Sequence, residues 1–330
     1  MNAMRIATIG TGSIVDEFLQ AVEQVETAEC IAMYSRKLET AKELAEKYKI
    51  KSIYTSLDEM YQNPDIECIY IASPNSLHFD HAFQALSSGK HVICEKPFTS
   101  TVEEAEKLIA LAKEKKLFLF DAISNIHLPN FKLIKENLAL LGPIRFVQCN
   151  YSQYSRKYNQ LLSGETPNVF NPAFSGGALL DINIYNLHFV TRLFGSPDEI
   201  SYTANKHPNG IDTSGVLVMK YPDFISECVG SKDTQGMNFV LIQGENGYLH
   251  VKDGANGCRS VFIHTNDQEV NLNAQTSMNR LFYELAEFEG IVQREDYSSC
   301  YKLLEHTLEV VQATVKARTD AGIVFTADKR

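Results

Sequence analysis

Two groups of polar residues stand out because the sequence around them is apolar. At 91–100, HVICEKPFTS, an apolar run ends in Glu95-Lys96-Pro97. At 176–189, GGALLDINIYNLHF, a helix-like stretch carries Asp181, Tyr185 and His188. An amine at a strand tip can stabilise negative charge as it develops on a substrate oxygen. A phenol and a carboxylate can hold or move a proton. Pro97 biases Lys96 away from helical backbone, so the lysine starts extended. Taken alone, Glu95–Lys96 is equally well a surface pair on a loop.

The helix-like stretch is more demanding. At ~100° per residue, Asp181, Tyr185 and His188 fall within about 60° of arc. Leu179, Leu180, Ile182, Ile184, Leu187 and Phe189 make the remaining faces apolar. A helix apolar nearly all round is buried. Its polar stripe then needs partners or a cavity, because unpaired buried polar groups are costly. A satisfied polar seam between domains is the alternative, and it stays most open for His188.

A third grouping is the turn Gly10-Thr11-Gly12-Ser13-Ile14, which follows the apolar run Ile6–Ile9. Gly10 allows a tight turn, and Gly12 lets backbone approach a pyrophosphate. The helix that follows offers free N–H groups to phosphate oxygens. The third glycine of a full G-x-G-x-x-G is replaced by Val15. At the end of the second apolar run stand Ser35 and Arg36, where an NAD site usually carries an acid for the ribose 2′-OH. A hydroxyl and a guanidinium suit a 2′-phosphate, so NADP(H) is expected over NAD(H). Otherwise Arg36 is a solvated residue opening the next loop.

These groups need a scaffold. The first 120 or so residues alternate short apolar runs (Ile6–Ile9, Cys30–Tyr34, Cys68–Ala72, His91–Cys94, Leu117–Ala122) with helical patterns such as Leu38–Tyr48 and Thr101–Lys115. That alternation predicts βαβ units and a parallel sheet with helices on both faces. Thr101-x-x-Glu104 reads as a capping box. In an open α/β sheet, ligands bind outside the carboxyl ends of the strands. Ser73, Pro74, Asn75 and His78 lie at one such end, and Glu95 and Lys96 at another. From about Gly142 the pattern becomes serial strands: 145–155, 199–205, 214–220, 224–231, 237–243, 247–252, 259–264 and 268–272. Serial strands predict a large open, mostly antiparallel sheet. Helical stretches are expected at 177–194, 276–292 and 298–319. The fold class is thus α/β followed by α+β, with domains at 1–123 and 124–330.

Composition narrows the function classes. Of 330 residues, 44% are hydrophobic and 22% charged, ordinary for a globular chain with a real core. The net charge is −10, with no basic stripe, which argues against nucleic acid and anionic membrane as partners. No apolar run is long enough for a membrane span. Seven scattered cysteines without zinc-ligand spacing predict reduced thiols, no metal site and a cytoplasmic protein. Cys68 and Cys94 read as core residues. No leader pattern precedes the first strand, and Met1–Ala3 reads as a possible cloning remnant before Met4.

GTGSI, ASPNSLH, GKHVICEKP and the GG…D-x-x-x-Y helix together resemble the Gfo/Idh/MocA oxidoreductase family over nearly the whole chain. The resemblance implies a Rossmann domain, a nicotinamide cofactor and a lysine, here Lys96, beside both nicotinamide and substrate. The tyrosine at 185, where another branch has histidine, implies the glucose–fructose oxidoreductase and dihydrodiol dehydrogenase branch. The family's aromatic–Arg–aromatic–His run is absent from Asp121–Pro129, though Asn125 and His127 remain near the expected substrate position, as does His188. On this reading Tyr185 is the acid–base group, aided by the Lys96 cation, and Asp181 orients the substrate hydroxyl or Lys96. The expected activity is hydride transfer to or from a carbinol carbon of a sugar, polyol or related cyclic alcohol. Two alternatives remain: a lyase or hydrolase using retained NAD(H) transiently, and a non-catalytic nucleotide sensor. Val216–Met219 and Phe239–Ile242 are apolar at successive positions, so both sheet faces carry apolar groups. A homodimer or dimer of dimers, sheet face to sheet face, is therefore expected, as the family commonly forms.

Overall fold

The structure, a computed structural model, describes residues 3–265 and 268–329. Met1 and Asn2, the start of the possible remnant, lie outside the described residues. The chain divides into two compact units. One runs as far as Ala122 and includes Asn279–Leu308; the other comprises Ile123–Met278 and the segment from Glu309 onward. The first break falls after Ala122, and Asn279–Leu308 belongs in space with the first unit.

The first unit holds six parallel strands: β1 (Met4–Ile9), β2 (Ala28–Tyr34), β3 (Ser52–Tyr54), β4 (Cys68–Ile71), β5 (His91–Glu95) and β6 (Leu119–Ala122). Their spatial order is β3-β2-β1-β4-β5-β6, so the order reverses between β1 and β4. A crevice outside the strand ends opens at such a switch point. β4 is buried at every residue, as a central parallel strand must be. Helix Val102–Lys115 starts as its sequence predicts. Thr101 Oγ1 accepts from the Glu104 N–H at 3.2 Å, while Glu104 reaches the Ser100 N–H at 3.0 Å. Helix Arg280–Gln293 packs Phe288 against Phe120, ring centroids 4.3 Å apart.

The second unit is built on an eight-stranded sheet: β7 (Ile144–Ser152), β8 (Glu199–Lys206), β9 (Asp212–Lys220), β10 (Ile225–Ser231), β11 (Phe239–Gly244), β12 (Gly247–Val251), β13 (Val261–Thr265) and β14 (Glu269–Leu272). Its order is β14-β13-β12-β11-β7-β10-β9-β8. All pairs are antiparallel except β7 with β10. That exception arises because the chain leaves β7, makes the β8–β9–β10 meander and returns beside β7 in the same direction. On the inner face Cys149, Cys228 and Leu217 are buried side by side. The outer face carries Val218, Ile225 and Tyr248, which are 36%, 47% and 40% exposed. All seven cysteines are free, and Cys68 and Cys94 are buried. No helix among the described residues is long and apolar enough to cross a membrane.

Candidate active site

Each unit carries its own constellation. In the first, Gly10 has φ +124°, and a Cβ there would stand 2.6 Å from the Ala72 carbonyl oxygen. Only glycine lets the ends of β1 and β4 close in this way. Gly12 differs: its φ is −81°, and nothing lies within 4 Å of where its Cβ would be. The packing of the fold does not require a glycine there. Helix Ser13–Val22 follows, and no side chain caps its start. An uncapped helix N-terminus behind an open backbone turn fits the pyrophosphate of a dinucleotide. Val15, standing in for the third glycine, is buried in the core.

A pocket of about 240 Å³ lies beside this turn, lined by Thr11, Gly12, Ser13, Asp16, Thr40 and Lys47 among others. Lys47 and the Tyr48 hydroxyl both donate to Asp16 Oδ1 at 2.6 Å. Lys47 first, then Tyr48, hold the Asp16 carboxyl below its ordinary value. At the end of β2, the Ser35 hydroxyl lies 2.5 Å from the Thr40 hydroxyl. Arg36 is exposed. Thr40 was not singled out from sequence, since a threonine in a helix's first turn has no distinguishing pattern.

The two loops at the tips of β4 and β5 are tied together. The buried His78 ring places one nitrogen 2.9 Å from the Pro97 carbonyl oxygen and the other 2.9 Å from that of Ser73. A neutral imidazole has one N–H, so only one of these carbonyls receives a proton. Burial holds the ring's pKa down at about 4. The geometry gives His78 a brace's task. Glu95 is buried and accepts from the Tyr70 hydroxyl at 2.6 Å. Burial raises its pKa, and the Tyr70 hydrogen bond and the Lys96 charge oppose that rise. Lys96 is half-buried at the strand tip, joined to Pro97 by a cis peptide bond. Two further buried carboxyls face Glu95 electrostatically. Asp121 is pushed up to about 8, chiefly by burial. Glu284, on helix Arg280–Gln293, has no hydrogen-bond partner for either oxygen among the described residues, and burial raises it well above the ordinary range. Sequence gave no reason to expect Glu284 in the core.

In the second unit the glycine pair is again steric. A Cβ on Gly176 would stand 2.5 Å from the Val169 carbonyl oxygen, and one on Gly177 2.0 Å from Asp212 Oδ1. Asp212, buried, accepts from the Leu179 N–H at 2.7 Å and from the Tyr202 hydroxyl at 2.8 Å. The expected helix is present but opens with a wide π turn, Leu179–Asn183, before the regular part Ile184–Phe194. Such turns are rare and frequent at functional sites. Asn183 and Asn186 tether the helix to β10, donating to the carbonyls of Cys228 and Val229 at 3.0 Å each. Gly230 permits this contact, because a Cβ there would stand 2.5 Å from Asn183.

Asp181, Tyr185 and His188 emerge from this helix at increasing depth: Asp181 is partly exposed, and the other two are buried. The Tyr185 ring meets Tyr151 edge-on at 6.0 Å. The buried Asn125 donates to the Tyr185 carbonyl at 2.8 Å, which makes it a support for that residue's backbone. His127 is also buried. Asp181 pairs with Lys232, a residue that sequence reading passed over. Its only signal was a lysine directly after a strand, the same position Lys96 occupies. Among the described residues no group of His, Cys, Asp and Glu side chains is placed to hold a metal ion.

Comparison with known proteins sets these constellations in context. Residues 4–122 match the model of an oxidoreductase family with an NAD-binding Rossmann fold, GFO/IDH/MocA, and residues 133–250 match the C-terminal domain of the same family. The chain is 37% identical over 330 residues to the uncharacterized oxidoreductase YgjR of Escherichia coli, covering 98% of each. It is 34% identical to the scyllo-inositol 2-dehydrogenase (NADP(+)) IolU of Bacillus subtilis, covering 99% of each. A trans-1,2-dihydrobenzene-1,2-diol dehydrogenase from Sus scrofa is 29% identical over 76% of this chain and 75% of its own. In fold, the chain is similar to the 3-ketoreductase KijD10 of Actinomadura kijaniata. The TM-score is 0.84 at 21% identity, over 97% of this chain and 98% of that one.

Proposed function

The chain belongs to the Gfo/Idh/MocA oxidoreductase family, and we propose that it is an NADP(H)-preferring dehydrogenase or reductase acting on a sugar, polyol or related cyclic alcohol. The observation that carries this reading is the open turn at Gly12 before an uncapped helix, in the same unit as the lysine-tipped β5. Relatives named for an NADP(+)-linked inositol dehydrogenase and for dihydrodiol dehydrogenases support the substrate class. The fold's neighbour KijD10 carries NADP.

When bound, the nicotinamide supplies the hydride acceptor or donor. The chain supplies the rest. Gly10, Thr11, Gly12, Ser13 and Ile14 hold the pyrophosphate. Ser35 and Arg36 hold the adenosine 2′-phosphate, with Thr40 steadying Ser35. Ser73, Pro74, Asn75, Glu95 and Lys96 form the strand-tip wall toward the nicotinamide, and His78 keeps the two loops in register. Tyr185 takes the proton from the substrate hydroxyl in oxidation and returns it in reduction. Lys96 stabilises negative charge on that oxygen. Asp181 orients the substrate. Asn125 fixes the backbone at Tyr185; His127 and His188 complete the polar interior nearby. The protein works in the cytoplasm, as a homodimer or a dimer of dimers.

An absorbance screen at the nicotinamide band tests the reading, with NADP⁺ and NAD⁺ against aldoses, polyols and dihydrodiols. Net reduction of NADP⁺ by at least one of them is expected. No net change with either cofactor, in a protein that retains NAD(H) through purification, would point to a transient-redox lyase or hydrolase instead.

A further inference from the structure

β10 ends at Ser231, and the next residue is held unusually firmly. The Lys232 N–H donates to the Thr213 carbonyl at 2.8 Å, and its own carbonyl accepts from Ser155 N–H at 2.9 Å. Its backbone is thus clamped on two sides. Asp233 then accepts from the hydroxyls of Thr213, Ser214 and Ser231 at 2.7, 2.8 and 2.8 Å, which fixes the turn. From this anchored position the Lys232 side chain runs inward. Its ammonium lies 6.0 Å from the centre of the Phe170 ring and pairs with Asp181.

The exposures of the two partners differ in an informative way. Lys232 keeps 9% of its side chain exposed and Asp181 keeps 29%. The carboxylate therefore fronts the accessible side, and the ammonium stands behind it. A buried ammonium without a counter-charge is costly, so the pair is held together from the lysine side. Asp181 also sits in the wide turn Leu179–Asn183, where the regular backbone ladder of the helix is interrupted. The tie to Lys232 holds its carboxylate from one side.

We infer that Lys232 is a positioning residue, which sets the place and direction of the Asp181 carboxylate for the reacting substrate. This rests on the role of Asp181 proposed above. A misplacement of ~1 Å in a reacting constellation costs on the order of 100-fold in rate.

The test is steady-state kinetics on the full-length protein with its best polyol or sugar substrate. Lys232→Met should lower kcat on the order of 100-fold, with NADPH affinity unchanged by fluorescence titration. Lys232→Arg, which keeps the cation, should recover most of the loss. Combining Lys232→Met with Asp181→Asn should cost no more than Asp181→Asn alone, since both remove one interaction. If Lys232→Met does not fold, Lys232→Gln takes its place. Normal kcat in the folded Met or Gln variant, or losses that add to those of Asp181→Asn, would overturn the inference. Normal kcat in Asp181→Asn itself would instead strike at the proposed role of Asp181.

Discussion

Arg36 is exposed at the end of β2, where no acid stands to accept from a ribose hydroxyl. If it reads the 2′-phosphate, Arg36→Ala weakens NADPH by about 1.5–3 kcal/mol, the scale of a hydrogen bond to a charged group, and NADH far less. Equal losses for both cofactors in a fluorescence titration would remove it from that role. Glu284 gives a prediction of a different kind. Burial first, then the negative neighbours Glu95 and Asp121, raise its pKa well above 4.5 in the folded chain, while Arg280 opposes them. Above about pH 4.5 the unfolded chain has released this proton and the folded chain still binds it. The unfolded state then holds fewer protons, so stability falls as pH rises toward the folded value. Asp121, pushed from 3.8 to about 8, acts in the same direction. Glu284→Gln should therefore match the parent near pH 4 and exceed it at pH 8 in urea unfolding. A variant less stable at pH 8 would mean that Glu284 is ionised and served by a partner. The candidate residues near turns and strand tips stand out in sequence because glycine, proline and lysine punctuate those places. Lys232 and Glu284 do not, because only tertiary packing decides which lysine or glutamate is buried.

At the level of elements, the two glycines of the first turn have separable tasks. Gly10→Ala forces a Cβ to 2.6 Å from the Ala72 carbonyl oxygen at a φ of +124°. It should destabilise the fold by more than about 1 kcal/mol. Gly12→Ala meets nothing within 4 Å. It should leave the melting temperature nearly unchanged and abolish NADP(H) binding. A Gly12→Ala protein that binds NADPH normally would contradict the placement of the pyrophosphate. Most elements followed from local pattern: all eight strands of the second sheet fall where period and turn residues put them. What escaped was short or non-local. β3 is three residues long, Ser52–Tyr54, too short for any period to show. The parallel β7–β10 pair joins segments about 80 residues apart, and only the closed sheet reveals it. The wide turn at Leu179–Asn183 interrupts a stretch whose hydrophobic pattern reads as a plain helix.

For the whole molecule, the outer face of the eight-stranded sheet poses a physical problem. Val218, Ile225 and Tyr248 remain exposed on it. Exposed apolar side chains on a sheet face suit an interface with another surface. On the proposed account a second copy of the chain, meeting it face to face, would cover it. Sedimentation velocity at micromolar concentration should show a dimer or tetramer; a single species near 37 kDa would refute it. The central claim concerns chemistry, and it rests on the role proposed for Lys96 in stabilising charge on the substrate oxygen. The most direct measurement is turnover together with NADPH affinity in Lys96→Met. The account predicts that turnover is abolished while NADPH binds as in the parent, because the phosphates are held by the turn from Gly10 to Ile14. Parent-like turnover in that variant, with a substrate the parent demonstrably uses, would contradict it.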